Sequence, residues 1–189
     1  MNEVLTAATE LQSFLRSKQW SFSIIGGIAL VRWGEPRTTV DVDVTLLTEF
    51  GEEEQYIDVL LAEYQSRVGN PKEFALQNRV LLLQADNGIG LDVALGGLPF
   101  EEHVISRATE FDYGSGVLLL TVSAEDLVVL KAFAGRPQDW VDVEGILIRQ
   151  ADSLDWSLIV DELTPLCELK ESPETVDQLL ALRDQLAAE

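Results

Sequence analysis

Two aspartates, Asp41 and Asp43, stand two apart in the run Val40-Asp41-Val42-Asp43-Val44-Thr45-Leu46. Apolar residues hold the even positions, so a strand here has one apolar face and one acidic face. Both carboxylates then point the same way. Like charges side by side destabilise a sheet face unless something offsets them. A bound divalent cation does so, and hard carboxylate oxygens suit Mg2+ or Mn2+. The solvated outer face of an edge strand accounts for the same pattern without a metal. A third acid, Asp92, lies between Leu91 and Val93. A charge among such residues is costly unless paired or metal-bound, although an outward-facing strand position also accommodates it. Gly26-Gly27 separates a short apolar run from a helical pattern. Glycines there let backbone N–H groups approach a phosphate at a helix N-terminus, and an ordinary strand-to-helix turn uses the same residues.

The elements that must hold these residues are legible from periodicity. Residues 3–17 put Val4, Leu5, Ala8, Leu11, Phe14 and Leu15 on one helical face. Residues 21–25 predict a short strand, and the helical pattern of residues 28–33 stops at Glu35-Pro36. Residues 40–46 predict the Asp41 strand, and residues 52–66 an acidic helix. Residues 79–85 and 89–95 predict two strands joined at Asp86-Asn87-Gly88, a hairpin that carries Asp92. From residue 123 the character becomes helical. Ser123 and Asp126 form a capping pattern, Pro137 suits the first turn of a helix through Ile148, and Ser153 and Ser172-Pro173 open two more. The order predicts an α+β fold, with a mixed sheet and helices in residues 1–120 and a helical portion in residues 121–189.

Composition narrows the class. The chain is 47% hydrophobic and 24% charged, as in soluble globular proteins. Its single cysteine, Cys167, cannot form an internal disulfide and lies in an apolar helical pattern, which reads as core in a reducing compartment. A catalytic thiol would want a histidine, and His103 is the only one. The first twenty residues lack the order of a secretory signal, and no run is apolar enough to span a bilayer. The expectation is a cytoplasmic protein with no membrane partner. A net charge of −20 opposes broad, nonspecific nucleic-acid binding, while leaving room for a local basic RNA acceptor site or a metal-screened nucleotide.

Gly26-Gly27, then Arg37-Thr38-x-x-Asp41-Val-Asp43-Val, then an acid in an apolar strand resembles the DNA polymerase beta-type nucleotidyltransferase superfamily. The segment Lys131-Ala-Phe-Ala-Gly-Arg136-Pro-Gln-Asp139-Trp-Val-Asp142 is similar to the corresponding segment of AbiEii-like nucleotidyltransferases, several of which are toxins of toxin–antitoxin systems. One departure is Gln138, where that group commonly has lysine.

The resemblance implies a nucleotidyltransferase-like mixed sheet and transfer of a nucleotidyl group from a nucleoside triphosphate. The acceptor would be an RNA end, a protein hydroxyl or a small molecule. Asp41, Asp43 and Asp92 would be the catalytic and metal-binding residues, with Mg2+ or Mn2+ as cofactor. Asp92 would complete the metal site or take the acceptor's proton. Gly26, Gly27, Arg37, Thr38, Lys131 and Asp139 would hold the triphosphate, and a cognate antitoxin is the implied protein partner. From the residues alone, Lys131 is equally a solvated or snorkelling lysine, and Asp139 equally an acid favoured by a helix N-terminus. A non-catalytic nucleotide-binding or interaction protein on the same fold is the alternative function, and the intact acids argue against it.

Overall fold

The computed structural model of the chain describes residues 2–188. The first elements are α1 (Asn2–Ser17), β1 (Phe22–Ile24), α2 (Gly26–Trp33), β2 (Asp41–Leu47), α3 (Glu53–Glu63) and β3 (Gln65–Ser66). Then come α4 (Pro71–Asn78), β4 (Val80–Gln84), β5 (Gly90–Gly96), α5 (Pro99–Arg107), β6 (Thr109–Asp112) and β7 (Leu118–Thr121). The chain ends in α6 (Ala124–Ala134), α7 (Pro137–Gln150), a 3-10 turn (Ala151–Ser153), α8 (Trp156–Leu169) and α9 (Glu174–Ala187). Two compact units result. One joins the residues up to Ala29 with Thr38–Val122, and the other joins Leu30–Arg37 with the residues from Ser123 onward. Among the described residues no helix is long and apolar enough to cross a membrane.

The first unit is built on a sheet of seven strands among the described residues, in the order β3-β4-β5-β2-β1-β7-β6. Strand β2 lies at its centre. It runs parallel to β5 from Asp41↔Gly90 to Leu47↔Gly96 and antiparallel to β1. Strict alternation sends Val42, Val44 and Leu46 of β2 to the same buried core as Leu91, Val93 and Leu95 of β5. Leu81 and Leu83 of β4 join that core, as do Leu11 and Leu15 of α1. Each such buried side chain contributes about 1.5–3 kcal/mol. A one-residue slip of β2 would bury its aspartates and expose its valines, so this apolar face fixes the register. The β4–β5 hairpin forms around Gly88, whose φ of +84° suits glycine and whose N–H donates to Ala85 O at 2.9 Å.

In the second unit, Ser123 caps α6 by accepting from Asp126 N at 3.1 Å. Gly135, at φ +69°, ends that helix, and Pro137 opens α7. Near the end of α7, Arg149 and Gln150 reach back to the last carbonyls of α2. Arg149 donates to Val31 O and Gly34 O, and Gln150 to Trp33 O at 2.6 Å. These bonds satisfy acceptors that a helix C-terminus otherwise leaves open. Cys167 is buried, and that burial pushes its thiol above the ordinary range, as expected of an inert core residue.

Several elements escape sequence patterning. Helices α4 (PKEFALQN) and α5 (PFEEHVISR) are short and bury only Ala75 and the pair Phe100 and Val104 respectively. Their apolar spacing is too sparse to show a face, and a proline at the first turn is their clearest mark. The expected helix over residues 52–66 ends at Glu63, because Gln65-Ser66 pairs with Leu83-Gln84 as an edge strand. Strands β6 and β7 fall in a stretch with no expected element. The helix expected to open at Ser153 is capped instead by Asp155, which accepts from Leu158 N at 3.1 Å.

Candidate active site

The pairing of β2 with β5 sets Asp43 beside Asp92 in one cross-strand row, with Asp41 beside Gly90 in the next. All three carboxylates lie on the face away from the valine core and are half-buried. Each offers one oxygen, and the three oxygens lie within 4.8 Å of one another. Two oxygens on opposite sides of one Mg2+ or Ca2+ ion stand about 4–5 Å apart, given metal–oxygen distances of about 2.0–2.6 Å. One hard cation can therefore reach all three, so the donor set fits the ion that the resemblance implies. Burial raises the Asp92 carboxyl above its ordinary range. The positive charge of Arg67 opposes that shift, and the negative charge of Asp41 adds to it.

The glycine pair packs directly against this row. Gly26 opens α2 at φ +60°, a conformation that side chains rarely adopt. A Cβ added there would overlap the Asp43 carboxylate, standing 2.6 Å from its Cγ. The space of the missing side chain is thus filled by Asp43, at the positive end of a helix dipole. Gly27 has a different neighbour. A Cβ there would stand 2.7 Å from Thr39 Cβ. Thr39 is 6% exposed and donates from its hydroxyl to Asp41 Oδ1 at 3.3 Å. Thr38, the threonine expected at the site, is exposed, and its neighbour Thr39 makes this contact. Each glycine therefore seats one aspartate, Gly26 directly and Gly27 through Thr39.

Arg67, just beyond β3, is the second residue that sequence reading does not single out. Its Nη2 donates to Asp92 Oδ1, and its Nε donates to Leu83 O at 2.8 Å. The only signal for it in the sequence is indirect: an aspartate in an apolar strand calls for a cation somewhere in the chain.

The remaining expected residues belong to the second unit, where they meet one another. Lys131 pairs with Asp139 at 3.1 Å and with Asp142 at 2.7 Å. Arg37 donates to both Asp142 oxygens, at 3.0 and 3.1 Å. Arg136 pairs with Asp139 at 2.6 Å. Gln138, which stands where the resembled group has lysine, donates to Asp142 Oδ1 at 3.1 Å. Lys131, Asp139 and Asp142 are all buried. Burial pushes both carboxyls upward. Hydrogen bonds from Arg136 and Lys131 to Asp139, and from Arg37, Lys131 and Gln138 to Asp142, outweigh it and leave both below the ordinary range.

A mixed sheet with this acidic row, flanking helices and C-terminal helices is a nucleotidyltransferase-like fold. The chain belongs to the family described as "Nucleotidyltransferase of unknown function (DUF6036)", whose model matches residues 2–181, and it is by that membership an enzyme of the nucleotidyltransferase class. No curated protein matches it in sequence. Among solved structures it is similar to an antigenic nucleotidyltransferase-like protein from Paracoccidioides brasiliensis. That match has 15% identity, a TM-score of 0.52, and coverage of 93% of this chain and 92% of that one. ANT(2")-Ia in complex with adenylyl-2"-tobramycin is 17% identical over 96% of this chain and 98% of its own, with a TM-score of 0.49. The lincosamide antibiotic adenylyltransferase LnuA, lincomycin-bound, is 12% identical over 72% and 92%, also with a TM-score of 0.49.

Proposed function

We propose that the protein transfers a nucleotidyl group from a nucleoside triphosphate to an acceptor hydroxyl, with Asp41, Asp43 and Asp92 holding Mg2+ or Mn2+. The observation that carries this reading is the convergence of three carboxylates beside a glycine whose missing side chain makes room for one of them. The bound ion would neutralise charge on the triphosphate and on the group leaving it. Asp43 is seated by Gly26, and Asp41 is oriented by Thr39. Asp92 completes the ion's ligand set or accepts the proton of the attacking hydroxyl.

The nucleotide site also includes the backbone at Gly26 and Gly27, with Thr38 at the entry to β2. Arg37, Lys131 and Asp139, to which the resemblance gives a triphosphate role, belong to the charged network of the second unit. Within that network, among the described residues, Arg37, Lys131 and Arg136 face Asp139 and Asp142. The net charge of −20 disfavours a long polyanion as acceptor and favours a protein hydroxyl or a small molecule. The Lys131 to Asp142 segment supports a narrower reading, a toxin with an antitoxin partner. That reading predicts growth arrest on expression, abolished by Asp43→Asn.

Purified protein incubated with each α-labelled triphosphate, Mn2+ or Mg2+ and a cell extract tests the main reading. The expected result is label on an acceptor with the wild-type protein. With the Asp41→Asn, Asp43→Asn variant, transfer should fall at least about a hundredfold, since losing even an outer-shell partner of a metal costs about 10–100-fold. Equal transfer by the two proteins would sink the site assignment.

A further inference from the structure

We propose that Arg67 is the internal counter-cation of the carboxylate site, opposing the uptake of a divalent ion by holding Asp92 and so setting the site's metal affinity. This inference rests on the reading that Asp41, Asp43 and Asp92 take up such an ion.

Arg67 is placed for this by bonds on two sides of its side chain. Its backbone N–H donates to Leu82 O at 3.0 Å, extending the edge pairing of β3 with β4. Its Nε donates to Leu83 O at 2.8 Å, which turns the guanidinium over the sheet, and Nη2 then reaches Asp92 Oδ1. Gly90 makes this path open. It is the cross-strand partner of Asp41, and a Cβ there would stand 3.3 Å from both Cζ and Nη1 of Arg67. The guanidinium therefore lies over the row that contains Asp41 while bonded to the acid of the neighbouring row.

The chemistry of the pair fits a placeholder better than a permanent clamp. Arginine stays protonated at every physiological pH, so its charge is always present. The Arg67 and Asp92 side chains are 34% and 30% exposed. An ion pair this open to water is weak, and a doubly charged ion can displace it. In the absence of metal, Arg67 offsets part of the repulsion among the three carboxylates. When an ion arrives, the two cations draw on the same carboxylate charge.

The two roles open to Arg67 predict opposite signs. A brace that preorganises Asp92 strengthens metal binding, so its loss weakens the site. A counter-cation weakens metal binding, so its loss strengthens the site. Calorimetric titration of the nucleotide-free protein with Mn2+ alone reads the sign. Arg67→Gln should bind Mn2+ about tenfold more tightly than wild type, equivalent to about 1.4 kcal/mol. Arg67→Lys, which keeps the charge, should stay near wild type, and Asp43→Asn should lose binding. Gly90→Ala retains the arginine but crowds its guanidinium, so it should show a smaller gain in the same direction. It also serves as the test should Arg67→Gln fail to fold. Equal or weaker Mn2+ binding by Arg67→Gln overturns the counter-cation role. If wild type and Asp43→Asn still differ in that case, the carboxylate site itself stands. No Mn2+ uptake by wild type overturns both.

Discussion

Asp92 in the first unit is half-buried, and Asp139 and Asp142 in the second are buried. Burial raises all three, yet Asp92 ends above the ordinary range and the other two end below it. The difference lies in the company they keep. Asp139 and Asp142 share Lys131, Arg37, Arg136 and the amide of Gln138. Asp92 has Arg67 on one side and the charge of Asp41 on the other. In the second unit the hydrogen bonds to Asp139 and Asp142 outweigh their burial, whereas at Asp92 burial outweighs the pull of Arg67. Depth of burial therefore does not set the direction of the shift, since the more exposed carboxylate is the one that ends raised. The balance of neighbouring charges does.

The largest effect should come from breaking the charged network of the second unit. Lys131→Ala leaves two buried carboxylates short of a partner and should destabilise the protein by about 3–5 kcal/mol, read from urea unfolding. A loss under about 1 kcal/mol would class the pairing with weak surface bridges. Next comes Gly26→Ala, which places a methyl group where the Asp43 carboxylate sits, at a φ that disfavours any side chain. It should cost about 1–3 kcal/mol of stability and abolish Mn2+ uptake. Gly27→Ala displaces Thr39 instead and should weaken uptake without abolishing it.

A smaller difference should appear in acid. The folded pKa values of Asp139 and Asp142 lie below those of the unfolded chain, so the unfolded state binds protons first as pH falls. The network's contribution is complete above the unfolded carboxyl value of about 3.9 and is lost as pH drops through the folded values. Asp142→Asn should therefore be less stable than wild type at neutral pH, with a gap that closes in acid. A gap independent of pH would show that the ionised form of Asp142 contributes nothing. The smallest effect is expected from relieving the carboxylate row. Without metal, Asp41→Asn with Asp43→Asn should stabilise the protein by about 0.2–1 kcal/mol. At about 2–4 °C per kcal/mol for a chain of this size, calorimetry resolves that gain. A lower melting temperature would mean that the aspartates repel one another less than their spacing implies.

Much of the carboxylate row was legible because it follows from local periodicity. Alternation in residues 40–46 placed Asp41 and Asp43 on one face, and the Asx-Gly turn placed Asp92 on a hairpin strand. That this strand lies parallel to β2, with Asp92 abreast of Asp43, is a long-range pairing that no local pattern encodes. Arg67 and Thr39 were invisible for a related reason. Arg67 reaches Asp92 from just beyond an edge strand, 25 positions away in sequence. Thr39 matters through the side chain that Gly27 lacks. The helical stretch from residue 123 was readable from its caps at Ser123 and Pro137. Helices α4 and α5 were not, since they bury too few side chains to show an apolar stripe.

The carboxylate row, and not the charged network, is expected to take up the ion. Anomalous diffraction from crystals grown with Mn2+ and a non-hydrolysable nucleoside triphosphate addresses this directly. The expected result is a manganese peak within coordination distance of Asp41, Asp43 and Asp92, with triphosphate oxygens among its ligands. A bound triphosphate with no manganese at those three residues would overturn the assignment of the ion to the carboxylate row.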